Sequence, residues 1–189
     1  FGDLRYHDDG IGSSIIGTVR AASGEELAGL DVTCAAFADG KPIGGGHDVL
    51  PLIPAGGEAG IQAYGLQGGL APDDIRCSGR VEYLEARVGS LDDELVVQSS
   101  GVSITADQYT MGAIVENPTD EWAWGLRVAF DMLDASGRVV GSEKTDVPTY
   151  IAPRSAVAVP ARGSFTASYD GPVTSLRVLP VIETFLKPG

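Results

Sequence analysis

Between Leu126 and Met132 the chain alternates with period two: Leu126, Val128, Phe130 and Met132 fall on one side, Arg127, Ala129 and Asp131 on the other. That pattern predicts an antiparallel strand with one face in the core and the other toward water. Asp134-Ala-Ser-Gly137 follows. Asp134 opens a turn in which its carboxylate accepts local backbone hydrogen bonds, Gly137 takes a positive φ, and a hairpin leads into Arg138-Val-Val-Gly141. Upstream, Asn117-Pro-Thr-Asp120 is a turn after the short apolar strand Ala113-Ile-Val115. Downstream, Ile151-Ala-Pro-Arg-Ser155 separates a strand at Val147 to Tyr150 from one at Ala156 to Val159. No amphipathic stretch at helical spacing is long enough to compete.

A degenerate copy of this stretch occupies the first half of the chain. Ile15 to Val19 lies against Met111 to Val115. Leu30, Val32, Cys34 and Ala36 share the inward face that Leu126, Val128, Phe130 and Met132 take in the second half. The turn ending at Gly40 corresponds to the one ending at Gly137, Ala55 to Ile61 lies against Ala152 to Ala158, and Ile75-Arg-Cys77 answers Leu176-Arg-Val178. The expected organisation is a first unit over residues 1–90 and a second over 91–189, joined by a short linker near Gly89 to Asp93 that restricts their relative motion. Each unit is long enough to bury roughly 60 to 70 per cent of its unfolded surface.

Composition sharpens the fold class. With 26 Gly and 11 Pro, and turn signals recurring along the chain, the 189 residues read as all-β sandwiches. The 26 acidic against 13 basic residues give a net charge of −13, spread evenly: −7 over residues 1–91 and −6 over the remainder. Such a surface repels nucleic acid and anionic lipid and favours solubility. No apolar run approaches the length that spans a bilayer, so direct membrane insertion is not expected. The chain begins at Phe1 without an initiator Met, the expectation being a processed or truncated form from which any targeting or anchoring segment is missing.

The strand-and-turn motif Phe130-Asp-Met-Leu-Asp134 resembles the Phe-x-Leu-Tyr-Asp signature of the FxLYD domains, small immunoglobulin-like β-sandwiches of bacterial and archaeal extracytoplasmic proteins. Phe130 and Asp134 match, while Met132 replaces Leu and Leu133 replaces Tyr. Gly112-x-x-Val115-x-Asn117, Gly137-x-Val-Val-Gly141 and Ile151-Ala-Pro153 fit the surroundings. The first half diverges, with Cys34 at the Phe position but Phe37 and Asp39 retained. The resemblance implies two tandem immunoglobulin-like antiparallel β-sandwiches related by internal duplication and an extracytoplasmic setting at the cell surface, in the periplasm or after secretion. It implies no activity, because the family shares no catalytic residues.

Cys34 and Cys77 share the parity of core positions, and their counterparts are Phe130 and Val178. The reading adopted is a disulfide across the first sandwich, standing in for lost apolar volume; the competing reading is two buried free thiols acting as small hydrophobes. Two Cys without a nearby His fall short of a metal site. His7 and His47 read as exposed loop residues beside Gly-rich turns. The acidic pairs Asp8-Asp9, Asp73-Asp74 and Asp92-Asp93-Glu94 lack the spaced array of a calcium loop and read as solvated turn charges. Gly44-Gly-Gly46 and Gly56-Gly57 lack the Lys-Ser/Thr ending of a phosphate loop and read as turns. No catalytic set and no cofactor are therefore expected. Trp122 and Trp124 remain, with two readings: core packing, which the parity of Trp124 favours, or a contact surface, since exposed aromatics stack on sugars or anchor protein partners. The expected function is a non-enzymatic module acting by protein contact or as a structural or assembly component of the cell envelope or of a secreted structure; a glycan partner is open but unsupported. The alternative is a calcium- or zinc-dependent or glycan-acting protein with its site on the acidic loops.

Overall fold

A computed structural model of the chain describes residues 1–8, 12–21, 26–66, 71–81, 95–105, 108–164, 171–182 and 184–186. The expected linker at Gly89 to Asp93, and with it the boundary at 90/91, lies outside these residues, as do Asp9 and Asp92-Asp93-Glu94.

The fold is all-β and antiparallel. Thirteen strands are described: β1 (Gly2–Asp8), β2 (Ser13–Arg20), β3 (Leu27–Ala38), β4 (Lys41–Ile53), β5 (Glu58–Leu66), β6 (Asp74–Val81), β7 (Val96–Ile104), β8 (Gln108–Asn117), β9 (Trp122–Leu133), β10 (Val139–Ile151), β11 (Ser155–Ser164), β12 (Ser175–Val181) and β13 (Thr184–Leu186). In the second half, β7-β8-β11 and β10-β9-β12 form two sheets, with β13 added to β9. The first half has the same neighbours, β1-β2-β5 and β4-β3-β6, fused into one six-stranded sheet where β4 meets β5 at His47 and Tyr64.

Each half encloses its own core. Leu126, Val128, Phe130 and Met132 pack with Met111, Ala113, Val115 and Val140; Leu30, Val32, Cys34 and Ala36 pack with Ile15, Val19, Leu50 and Ile61. The period-two reading of β3 and β9 thus places the core faces as expected. The turn after β9 also forms as read: Asp134 Oδ1 accepts from the Ser136 and Arg138 N–H groups at 2.9 and 3.1 Å, and Gly137 has φ 82°. Val147 to Tyr150 is no separate strand, because β10 runs unbroken to Ile151, with a register shift between Val147 and Tyr150.

A glycine explains why the two halves differ in sheet closure. A Cβ on Gly46 would stand 2.6 Å from the Ala63 carbonyl oxygen, so only Gly lets β4 and β5 approach there. By strand pairing its counterpart is Glu143, since Gly46 faces Cys34 and Glu143 faces Phe130. In the second half Glu143 stands at that corner, and β10 and β11 lie in separate sheets. This overturns the reading of Gly44 to Gly46 as a turn, for these residues lie inside β4.

The two halves are stacked through sheet faces. β2 carries no alternation: Ser13 to Val19 are all buried, because Ile15 and Val19 enter the first core while β2 also packs against β10 of the second half. Ile16, Ala129, Val139 and Val181 are buried yet belong to neither core, and Leu179 of β12 reaches the core of the first half.

Candidate functional site

Polar residues lock this stack. Asp131, Gln62 and Ser142 are buried to 1 per cent exposure or less. Asp131 Oδ2 accepts from the Gly60 N–H at 2.9 Å and from Arg177 Nε and Nη2 at 2.9 and 2.8 Å, while Oδ1 accepts from the Ser142 hydroxyl at 2.7 Å. The Ser142 N–H donates to Gln62 Oε1 at 2.8 Å, and Arg177 Nη1 reaches Glu58 Oε1 at 3.3 Å. At the side, the Lys144 ammonium pairs with Asp48, whose Oδ2 also accepts from the Gln62 N–H at 2.7 Å. Glu143 accepts from Tyr109 and, at 3.3 Å, from Tyr64. Partial burial and the Glu143 carboxylate push the Tyr64 phenol above its usual range, so it stays a donor. Each buried charge is paired and hydrogen-bonded, the condition under which such groups hold a fixed geometry. The sequence pattern predicts restricted relative motion of the two halves but not this network. The available signal was Ile15-Ile16 in a strand without alternation, which marks burial on both faces.

Cys34 and Cys77 are joined in a disulfide, closing a sequence separation of 43 residues. The expected span across the sandwich is corrected: the two are direct partners on neighbouring strands β3 and β6, with Cα atoms 4.0 Å apart. Their counterparts Phe130 and Val178 are likewise direct partners, on β9 and β12. The covalent pair therefore replaces a packing pair within one sheet.

Trp122 and Trp124 do not enter the core. Gly125 takes φ 73°, which breaks the alternation so that Ala123 is buried while both tryptophans stand on the outer face of β9. Trp124 pairs across the ladder with Tyr150, ring centroids 4.3 Å apart and planes 33° apart, and Trp122 meets the same Tyr150 edge-on at 6.4 Å. Trp122 and Tyr150 are 41 and 54 per cent exposed. The row lies at the far end of the sheet face whose other end carries Asp131 and Ser142. Tyr150 was not singled out from the sequence; its signal, an aromatic ending β10 opposite Trp124, depends on the ladder register.

Both histidines lie in strands, His7 in β1 and His47 in β4, which corrects the loop reading. His47 Nε2 stands 2.6 Å from Asp31 Oδ1 on the outer face of β4-β3. The carboxylates of the acidic turn are engaged: Asp73 accepts from the Asp39 N–H at 2.8 Å and Asp74 pairs with Arg76 at 2.8 Å. Among the described residues no three His, Cys, Asp or Glu side chains are grouped to hold a metal ion. Nor is any described helix long and apolar enough to cross a membrane, which says nothing of a β-barrel.

No family model and no curated protein matches the sequence. Among solved structures, the chain is similar to a beta-glucuronidase from glycoside hydrolase family 2 at 11% identity and a TM-score of 0.34, covering 99% of this chain and 25% of that one. It is also similar to Bacteroides uniformis beta-glucuronidase 2, covalently bound to cyclophellitol-6-carboxylate aziridine, at 12% identity and a TM-score of 0.25, covering 90% of this chain and 22% of that one. The chain spans a quarter or less of the length of these proteins, and likeness at this level carries no activity over to it.

Proposed function

We propose that the chain is a non-enzymatic, extracytoplasmic module of two immunoglobulin-like sandwiches, residues 1–90 and 91–189, which acts by protein contact within a cell-envelope or secreted assembly. The observation that carries this reading is the buried lock around Asp131. It fixes one sandwich on the other, so the pair presents its outer sheet faces at a constant spacing, as a spacer or assembly subunit requires. The FxLYD-like motif at Phe130 to Asp134 supports the same class. The Cys34–Cys77 disulfide supports an oxidising compartment, because such bonds persist outside the reducing cytosol.

The test is fractionation of the native protein followed by gel filtration of the fraction that contains it, with glycosidase assays and thermal melts in EDTA on the purified chain. The expected result is an extracytoplasmic protein eluting well above its 19.6 kDa mass, without hydrolytic activity and with a melting temperature that EDTA does not shift. A free cytosolic monomer, or a glycosidase activity lost with a chelator, would overturn the reading.

A further inference from the structure

The contact between the two halves is made by the outer face of β10-β9-β12 in the second and, in the first, by β2 and β5 together with the part of β4 around Asp48 that borders β5. Among the described residues, the duplication leaves two equivalent outer faces that are not part of this contact, β7-β8-β11 and, away from the β4 residues beside Asp48, β4-β3-β6. Strand pairing fixes the equivalences. Ile15 faces Ala63 as Met111 faces Ala161, which corrects the match of Ala55–Ile61 with Ala152–Ala158 by one residue, so Gly60 corresponds to Ala158, Gln62 to Pro160 and Glu58 to Ala156. Cys34 faces Gly46 and Cys77 as Phe130 faces Glu143 and Val178, so Asp131 corresponds to Ala35, Ser142 to Gly45 and Arg177 to Arg76.

The substitutions on the two unused faces compensate each other. Asp131 over Gly60 becomes Ala35 over Ala158, a large side chain over none becoming two small ones. The Gln62–Ser142 hydrogen bond becomes Pro160 beside Gly45, with both polar partners removed together. Arg177 pairs with Glu58; its counterpart Arg76 would lie over Ala156, whose ladder partner is Glu116. Both faces are open. Ala156, Ala158 and Pro160 are exposed, whereas the equivalent Gly60 and Gln62 are buried, and a shallow hollow of about 360 Å³ lies over Gly101, Gly112, Ile114 and Pro160. Both are also neutral in a chain of net charge −13: Asp31 and Asp74 offset Arg76 and Arg80 on one, and Glu116 offsets Arg162 on the other. Two acidic molecules meet at least electrostatic cost through such faces.

We propose that the outer face of β7-β8-β11 docks the outer β4-β3-β6 face of a second copy of this chain, repeating in apolar form the contact already made between the halves. Resting on the reading of the chain as a contact module, the inference names its partner. Because the two faces differ, the association is head to tail and generates open chains of copies rather than closed dimers.

Sedimentation velocity of the purified chain over a concentration series tests this, with Ile114→Lys, Arg76→Glu and the charge exchange Arg76→Glu/Glu116→Arg. The expected result is a weight-average mass that rises through dimer and trimer. Ile114→Lys and Arg76→Glu each weaken association by at least about ten-fold, and the exchange restores most of the Arg76→Glu loss. Circular dichroism and melting curves establish that each variant is folded. A monomer at every concentration, a mass that stops at dimer, or variants that associate like the wild type would each overturn the proposal. Fractionation separates this failure from that of the wider reading: a purified monomer that is nevertheless part of a large native complex overturns self-docking alone, whereas a monomer in both overturns both.

Discussion

Asp131 of β9 and Gly60 of β5, 71 residues apart, meet at the centre of the contact between the halves, where the Gly60 N–H donates to the Asp131 carboxylate at 2.9 Å. No side chain fits at position 60: a Cβ would fall on Asp131 Oδ1, 2.8 Å from Cγ and 3.0 Å from Val139 Cγ1. The carboxylate occupies the space that glycine leaves and satisfies four donors there. Asp131→Ala leaves Arg177 with Glu58 as its carboxylate partner and takes the acceptor from the buried Gly60 N–H and Ser142 hydroxyl, and is expected to cost about 2–4 kcal/mol in urea unfolding. Gly60→Ala is expected to cost about 1–3 kcal/mol through overpacking. In the Asp131→Ala background the Gly60→Ala cost should shrink, because the clash is removed; additive costs would contradict the contact.

The disulfide stands where the other half has Phe130 on Val178, so it contributes constraint rather than volume. Closing a loop of this separation lowers the entropy of the unfolded chain enough to stabilise by about 4 kcal/mol. Cys34→Ala/Cys77→Ala should lose about that much and unfold the first half before the second. Mass spectrometry after non-reducing denaturation and alkylation should find no modified thiol.

Asn117 is buried at the end of β8, where Nδ2 donates to the carbonyls of Glu121 and Ile151 at 2.7 and 3.1 Å, and Oδ1 accepts from the Thr119 N–H and hydroxyl at 3.1 and 2.7 Å. It ties the β8–β9 turn to the end of β10. Asn117→Ala leaves buried carbonyls without donors and is expected to cost about 2–3 kcal/mol. Chemical denaturation monitored by Trp fluorescence reads this directly, since Trp122 and Trp124 follow the turn.

Acid should loosen the β9–β10 hairpin. The Ser136 hydroxyl at 2.6 Å, with the backbone N–H groups of Arg138 and Ser136 and the Arg138 side chain, holds the Asp134 carboxyl well below the usual carboxylate range. A carboxyl depressed in the folded state stabilises above its unfolded pKa of about 4 and loses that contribution as pH falls. The melting temperature of wild type should therefore exceed that of Asp134→Asn at pH 7, and the gap should narrow progressively below about pH 4. A gap independent of pH would show that the turn does not depend on the charge.

Much of the architecture was legible because strand faces alternate. The parity of Leu126 to Met132 and of Leu30 to Ala36 located both cores, and matching those parities exposed the duplication and aligned Cys34 with Phe130 and Cys77 with Val178. Parity failed where the backbone departs from a regular strand. Gly125, at φ 73°, turns Trp124 out of the core its register predicts, and the glycine run that reads as a turn is a close approach of two strands at Gly46.

Local pattern alone determined the core faces of β3 and β9, the turn at Asp134 and the inward placement of the two cysteines. Only the tertiary structure decided which outer faces are covered. Gln62, Asp131, Ser142 and Arg177 lie on polar faces that read as solvent-exposed, and they became a buried lock because the second half came to rest on the first. A period of two separates inside from outside within one sandwich; it holds no information about a second sheet stacked on the outer face, which depends on shape and hydrogen-bond partners brought together from residues 58 to 177.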